Sequence, residues 1–240
     1  MTHTPRPMPR PFDVDPSVME RIRPMQNRDC SPVAELHARA MGDSLWARLG
    51  TRFLTEIYRG LVDSPYFLGF VYEERDEEGI PAVRGFIAGS TDTSRMMREV
   101  FYRRWMLLGL AAVPGLIRAP GLARHLATTG GYSVFSGSAA SDGEDDVRAE
   151  SLFCSFAPEL RGKRISGHIN KVLFDDLLAR GHKAVKVTTE SDNEGANRQL
   201  TSWGFERQGT FRFYGKEMVR YVLDLEASER VEAHSRHPAV

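Results

Sequence analysis

The chain has little of what marks several common classes of protein. Only two cysteines occur among 240 residues, Cys30 and Cys154, so no disulfide framework is indicated and a reducing cytoplasm is the expected compartment. Neither sign of charge dominates, since 32 basic residues balance 32 acidic ones, which argues against bulk affinity for nucleic acid. The proline- and arginine-rich N-terminus has no apolar core segment, so we expect no signal peptide.

The chain also lacks clustered metal ligands. Its seven histidines are scattered, and no pair has metal-ligand spacing with a supporting carboxylate or cysteine, so we predict no metal site. With 41% apolar residues, the chain can bury one substantial core. We predict a single domain over residues 18–225, between a disordered proline-rich tail at residues 1–17 and a disordered tail at residues 226–240.

The most informative stretch is a short basic turn after residues 150–156, an apolar run that predicts a strand. An amphipathic helix starts directly after the turn, at Ile165. A strand, a tight turn and a helix N-terminus form an anion site, because the free N–H groups and the helix dipole favour negative charge. We predict a pyrophosphate cradle here; the alternative is an ordinary solvated basic turn. The predicted cradle consists of Arg161, Gly162, Lys163, Arg164, Ile165, Ser166 and Gly167.

Periodicity in the rest of the chain predicts an α/β arrangement. Alternating β-branched residues indicate a strand after the cradle helix, so the unit is strand, turn, helix, strand, which normally makes the two strands parallel. The predicted strands are 19–25, 66–73, 82–88, 150–156 and 183–188, followed by an antiparallel pair at 205–214 and 217–225. Further helices are predicted at 32–41 and 46–61.

Two segments resemble motifs of the GCN5-related N-acetyltransferase family. The cradle resembles the family's cofactor motif, Q/R-x-x-G-x-G/A: Arg161 matches the first position, whereas Arg164 stands where glycine is expected and Ser166 stands at the sixth position. Residues 193–205 resemble the helix N-x-x-A-x-x-x-Y-x-x-x-G-F, which flanks the pantetheine arm in that family. The matching residues are Asn193, Ala196, Gly204 and Phe205. The resemblance covers about residues 18–225 and is specific from 148 to 225.

The resemblance implies a fold and a cofactor. The fold would be a GNAT-like mixed α/β sheet that splays near its centre, with residues 94–131 as a helical insertion between central strands. The cosubstrate would be acetyl-CoA or a longer acyl-CoA. The cofactor contacts carried over are the backbone of Cys154, Ser155 and Phe156, the cradle loop, and the Asn193 side chain.

The same resemblance suggests catalytic groups. Many relatives use a tyrosine as acid toward the leaving thiolate, and Leu200 stands at that position. The segment 149–154 resembles the A-E-x-x-F-C segment of the histone-acetyltransferase branch, so Glu150 is the predicted general base; the alternative is a solvated glutamate at a strand start. Tyr214 is the predicted acid or substrate contact, or else a turn tyrosine packed on the sheet. Cys154 invites a covalent mechanism, although a cysteine in a buried strand is usually a small hydrophobic residue.

Residues 94–131 are apolar and punctuated by arginines. We expect this segment to be too short and too interrupted to span a membrane, with breaks at Pro114-Gly115 and Pro120-Gly121. Three interpretations stay open: a helical lid over an acceptor or acyl pocket, a basic amphipathic surface for anionic lipid (residues 95–128) or a dimer face, and extra core. A flexible loop is predicted at residues 137–147.

The expected activity is acetyl transfer from acyl-CoA directly to an amine on a small molecule or peptide, by a monomer or homodimer without nucleic acid. Two alternatives remain. One is a catalytically inactive CoA-binding or regulatory protein, favoured by Leu200 and Arg164. The other is a membrane-associated acyltransferase that acts on a lipid-linked or carrier-bound substrate.

Overall fold

A computed structural model describes residues 13–42, 44–119, 121, 147–213, 215–228 and 230–231. Strands and helices alternate through most of this part of the chain. The strands are β1 (Ile22–Pro24), β2 (Phe67–Arg75), β3 (Pro81–Ser90), β4 (Glu150–Phe156), β5 (Ala184–Glu190), β6 (Glu206–Phe213) and β7 (Lys216–Asp224). The α-helices are α1 (Pro16–Met19), α2 (Cys30–Ala40), α3 (Leu45–Arg48), α4 (Thr51–Val62), α5 (Thr93–Arg118), α6 (Ile165–Ala179) and α7 (Glu194–Trp203).

The described strands form one mixed sheet in the order β1-β2-β3-β4-β5-β7-β6. All neighbouring pairs are antiparallel except β4 and β5, which are parallel. These two are joined by α6, since parallel neighbours need a crossover connection. The predicted α/β class and the strand-turn-helix-strand unit are therefore confirmed.

Helices cover both faces of the sheet. Successive residues of a strand point to opposite faces. On β3, Phe86 meets the rings of His37 on α2 and Tyr58 on α4. A Cβ at Gly89, three residues on, would lie 2.9 Å from a methyl group of Leu173 on α6. The helices α2 and α4 therefore pack on one face, and α6 packs on the other.

Two predicted elements differ at the start of the domain. The helix predicted at 46–61 is two helices, α3 and α4, because Gly50 between them has φ 103°, outside the helical region. The strand predicted at 19–25 is confined to Ile22–Pro24. The short helix α1 precedes it, and the side chain of Asp15 accepts a hydrogen bond from the Ser17 N–H as its N-cap.

The insertion begins with α5, 26 residues in which two helical stretches meet at a kink; the second stretch runs through Pro114-Gly115, so the predicted break there is wrong. Close packing on the link between α3 and α4 explains this: a Cβ at Gly115 would lie 2.5 Å from the Leu49 carbonyl oxygen. The helix deviates instead at Arg104, whose φ is −119° and ψ 15°. The predicted break at Pro120-Gly121 falls where α5 ends, at Arg118, but Pro120 lies outside the described residues.

The expectation that this segment is too short to span a membrane is also wrong. Among the described residues, α5 is one helix whose length and apolar composition would allow it to cross a bilayer. Core helices of globular proteins can be equally long and apolar, and Val100, Leu108 and Ala112 of α5 are indeed buried. Its other face is exposed, so it is not simply extra core.

The predicted tails and flexible loop lie largely outside the described residues. Of the loop at 137–147, only Val147 is described. Two pieces assigned to the tails make contacts with α6. The Asp15 N–H donates to the His168 ring, and the Lys171 ammonium donates to the Arg230 carbonyl oxygen. The disorder of the remaining tail residues stays a prediction.

Candidate functional site

A gap opens in the middle of the sheet, between β4 and β5. The two strands pair only at Glu150 with Lys186 and at Ser151 with Val187. Both strands continue beyond this point, to Phe156 and Glu190, without pairing to each other. The sheet therefore splays near its centre, as the family resemblance implies, and the splay leaves one edge of β4 open.

The hydrogen-bond pattern of β4 identifies which backbone groups face the gap. The Ala157 N–H donates to the Arg84 carbonyl oxygen at 2.7 Å, so this residue pair directs its polar groups toward each other. In an antiparallel ladder the orientation alternates along the strand. Ser155 therefore faces its β3 partner Phe86, and the N–H and C=O groups of Cys154 and Phe156 point to the β5 side.

Of the three predicted backbone contacts, the structure thus brings two to the gap. No described strand pairs with the polar edges of Cys154 and Phe156 there, whereas the backbone of Ser155 is used in the pairing of β4 with β3. The sequence pattern did not separate them, because no residue type indicates which backbone groups of a strand pair with a given neighbour.

A β-bulge sits where β4 begins to diverge from β5. Ala88 pairs with Phe153 and Gly89 pairs with Ser151, so Leu152 is an extra residue in β4. A bulge bends a strand and increases its local twist. It therefore turns the upper part of β4 away from β5. Nothing in the sequence indicates this bulge.

The turn after β4 has an unusual backbone. Its residues 158–160 form one 3-10 turn, Gly162 has φ 80°, and Arg164 has φ 59° and ψ 10°. Arg164 is the one non-glycine residue with positive φ in the described part of the chain. An L-residue in this region is strained by about 1–2 kcal/mol. The backbone thus keeps a glycine-like conformation where the family motif has glycine.

The open end of α6 meets this turn. No side chain caps the helix N-terminus, and its first turn contains no acidic residue. Arg161, Lys163 and Arg164 are exposed beside it. Free N–H groups, the positive end of the helix dipole and three cations therefore coincide, which favours an anion such as a pyrophosphate. The assignment of residues 161–167 to cofactor binding stays a prediction.

A buried histidine holds the turn in place. His168 is 3% exposed, and its Nε2 accepts the Asp15 backbone N–H at 2.8 Å. Its Nδ1 lies 3.0 Å from the carbonyl oxygen of Arg164. Since Nε2 is the acceptor, Nδ1 carries the proton and donates to that carbonyl. His168 therefore links α1 to the strained residue. The sequence signal was only its position four residues after Arg164.

Asn193 has a structural task at the other side of the gap. Its side-chain oxygen accepts the Ala196 N–H at 3.1 Å and so caps α7. Beside it, the Asn197 amide donates to the Glu190 carbonyl oxygen at 3.2 Å, which attaches α7 to the end of β5. A cofactor contact from the Asn193 side chain would therefore use its amide NH₂ group. Leu200, on the same helix, is buried.

Glu150 lies at the closed end of the gap. It is 3% exposed, so the interpretation as a solvated glutamate is wrong. It pairs in register with Lys186, which is also buried, and register partners of adjacent strands share one face of the sheet. A buried carboxylate and a buried ammonium therefore lie at the point from which β4 and β5 diverge.

Comparison with known proteins supports this picture in part. No known family profile matches the chain. A 67-residue stretch, 28% of the chain, is 33% identical to a mycothiol acetyltransferase of Brachybacterium faecium. That stretch covers only 20% of the length of the relative.

Solved structures give the fold. An N-acetyltransferase from Staphylococcus aureus superimposes with a TM-score of 0.56 over 84% of this chain and 99% of its own, at 17% identity. The chain has the GNAT fold. The yncA protein of Salmonella typhimurium, solved with its cofactor acetyl-CoA, superimposes with a TM-score of 0.51 over 89% of this chain and 98% of its own, at 16% identity. NAA60 of Arabidopsis thaliana, in complex with acetyl-CoA, superimposes with a TM-score of 0.52 over 86% of this chain and 98% of its own, at 10% identity.

The surroundings of both cysteines in this GNAT fold raise the pKa of the thiol. Burial raises the pKa of the Cys154 thiol to about 12, although the Asn170 amide, 4.0 Å from its Sγ, lowers it slightly. Burial raises the pKa of Cys30 to about 12 as well. Both thiols are protonated at neutral pH, and the thiolate is the reactive form. A covalent acyl-cysteine step is therefore disfavoured.

A second buried polar pair lies next to β4 in the GNAT sheet. The Nδ1 of His37 is 2.7 Å from the Tyr58 hydroxyl, and the ring centroid of His37 lies 4.8 Å from that of Phe153. Burial lowers the pKa of His37 to about 4, so its ring is neutral at neutral pH. The sequence analysis gave this pair no role, because the two residues are 21 positions apart on different helices.

Two further predictions about the site concern Tyr214 and the lack of a metal site. Tyr214 lies outside the described residues, so its part in catalysis stays a prediction. Within the described ranges, no group of three or more His, Cys, Asp or Glu residues is arranged to hold a metal ion.

Proposed function

We propose that the protein is an acyltransferase that takes an acetyl group from acetyl-CoA and passes it directly to an amine. The observation that carries this proposal is the coincidence of two features. The polar backbone edges of Cys154 and Phe156 face an open gap, and the uncapped, cationic N-terminus of α6 lies directly beyond it. Two proteins of the same fold, from Salmonella and Arabidopsis, were solved with acetyl-CoA.

The residues present fit the chemical parts of that cosubstrate. A pantetheine arm has amide groups, which can pair with an open strand edge as an added strand does. The exposed strand edge of β4 offers such a partner. A pyrophosphate suits the N–H groups of α6 and the side chains of Arg161 and Lys163. An acyl group longer than acetyl would use the same two contacts.

Glu150 is the proposed general base. An amine attacks a thioester only when it is neutral, so its proton must be removed, directly or through water. Glu150 lies at the closed end of the gap. Its register partner Lys186 is buried beside it on the same face of the sheet. Because Leu200 cannot protonate the leaving thiolate, Tyr214 is the proposed acid.

Release of the CoA thiol, followed with a thiol reagent over a panel of small amines and peptides, tests the activity. Replacement of Glu150 by glutamine removes the base at constant size, so we expect kcat to fall about 10²–10⁴-fold. Glu206→Gln, a matched change at the exposed start of β6, should leave kcat unchanged. Thiol release by no amine would overturn the transferase assignment, and full activity of Glu150→Gln would overturn the choice of base.

The chief competing function is a CoA-binding protein without turnover. The observation that favours it is the buried Leu200, which stands where the family motif has a tyrosine. Tight binding of acetyl-CoA with no thiol release over the whole amine panel would select it.

A further inference from the structure

The long helix α5 has an apolar face on each side. One side is buried in the domain and includes Met96, Val100, Leu108 and Ala112. The other side is exposed to solvent. Its large apolar residues, with their exposed fractions, are Tyr102 (83%), Trp105 (67%), Met106 (62%), Leu107 (54%), Leu110 (78%), Val113 (47%) and Ile117 (74%). We call this set the outer face of α5. Such a contiguous exposed apolar surface usually marks an interaction site.

Packing fixes α5 along the surface of the domain. It runs antiparallel to α4, because Gly60 lies against Val100 and Gly115 lies against Leu49. A Cβ at Gly60 would come within 2.7 Å of the Val100 side chain, so the two helices touch closely. The helix could not cross a bilayer without losing this contact. Its outer face is therefore available only to a partner that approaches from outside.

From Val100 to its end, α5 itself carries charge of one sign, although Asp63 and Glu99 lie beside Leu107 at the edge of the outer face. No acidic residue occurs from Val100 to Arg118, and the thirteen residues from Trp105 to Ile117 carry no charge. Arginines bracket this stretch: Arg98, Arg103 and Arg104 precede it, and Arg118 follows it. Arg103 is ion-paired with Glu99 at 2.8 Å, and Arg104 is ion-paired with Glu56 at 3.1 Å and with Asp63 at 2.6 Å. Within the described ranges, Arg98 and Arg118 have no carboxylate partner.

We propose that the outer face of α5 docks onto an anionic membrane surface, with the helix lying in the plane of the interface. The apolar side chains would enter the boundary between headgroups and acyl chains, and Arg98 and Arg118 would contact lipid phosphates. Tyr102 and Trp105 have the amphipathic rings that favour this depth. A second copy of the chain is a poorer partner, because a self-complementary contact would oppose arginines of like charge.

Co-sedimentation of the full chain with vesicles tests the docking. We expect binding to phosphatidylcholine vesicles that contain about a third phosphatidylglycerol, and much weaker binding to phosphatidylcholine alone, since the arginines need anionic lipid. The triple change Trp105→Ser, Leu110→Gln, Ile117→Gln should weaken binding at least about tenfold, because it removes buried apolar area. Arg98→Gln with Arg118→Gln should weaken it and reduce its salt dependence. Ile80→Gln, a matched change at an exposed residue on the β2–β3 turn, should leave vesicle binding unchanged.

Tryptophan fluorescence gives a direct local readout. Trp46 and Trp203 are buried, with exposed fractions of 8% and 3%, so the exposed Trp105 should dominate any change. We expect a blue shift and quenching by brominated lipid when anionic vesicles are added, and neither in Trp105→Phe.

Three results would overturn the proposal. The first is absence of binding to anionic vesicles at low salt, and the second is binding that the triple change leaves unaltered. The third is a concentration-dependent dimer in sedimentation velocity that the same triple change dissociates, because the outer face would then be a subunit interface. These readouts do not use acetyl transfer, so they stand apart from the proposed enzymatic function.

Discussion

Replacing Arg164 by glycine and by alanine separates backbone strain from charge in the turn that precedes α6. Both changes remove the guanidinium, but only alanine keeps the Cβ that is strained at φ 59°. The left-handed conformation costs an L-residue about 1–2 kcal/mol, and part of this is offset by the larger chain entropy that glycine loses on folding. We therefore expect Arg164→Gly to be more stable than Arg164→Ala by about 1 kcal/mol.

Thermal and urea unfolding of the two variants measure this difference. For a chain of 240 residues, about 1 kcal/mol corresponds to about 2–4 °C in Tm. The side chain at this position is exposed, so lost packing contributes little to either variant. Equal Tm values, or a more stable alanine variant, would refute the left-handed conformation of residue 164 and the comparison with the family's glycine.

Two further predictions concern the buried histidines. Because burial lowers the pKa of His37 to about 4, the unfolded chain binds a proton there at higher pH than the folded chain does. The free energy of unfolding should therefore fall by about 3 kcal/mol as the pH drops from about 6.5 to 4. His37→Gln should flatten this part of the profile, and an unchanged slope would contradict the assignment. His168→Ala leaves the Asp15 N–H and the Arg164 carbonyl without their partner, which should destabilise the fold by about 1–3 kcal/mol. It should also weaken acetyl-CoA binding in calorimetry; undiminished affinity would show that this link does not position the turn.

The sequence predicted the elements that local pattern determines. The strand β4 begins and ends where its apolar run does, at Glu150 and Phe156, and the helix α6 starts at Ile165 as its amphipathic spacing requires. The parallel pairing of β4 and β5 follows from the helix between them. These features depend on residue order over short distances, which periodicity captures well.

Features set by packing over longer distances were not predictable. Pro114 does not interrupt α5, because Gly115 packs against Leu49 and, further back, Val100 packs against Gly60 of α4. The bulge at Leu152 and the phase of hydrogen bonds along β4 depend on how β3 and β4 align. The burial of Glu150 results from its position between two strands, which no nearby residue indicates.

Calorimetric titration with acetyl-CoA tests the central claim most directly. The wild type should bind with micromolar affinity, and the double change Arg161→Ala, Lys163→Ala should weaken binding, because two cations leave the N-terminal end of α6. The matched double change Arg180→Ala, Lys183→Ala removes the same charge just beyond the other end of that helix and should leave the affinity unchanged. Absence of binding to any CoA species, or equal losses in the two double variants, would contradict a cofactor site between β4 and β5.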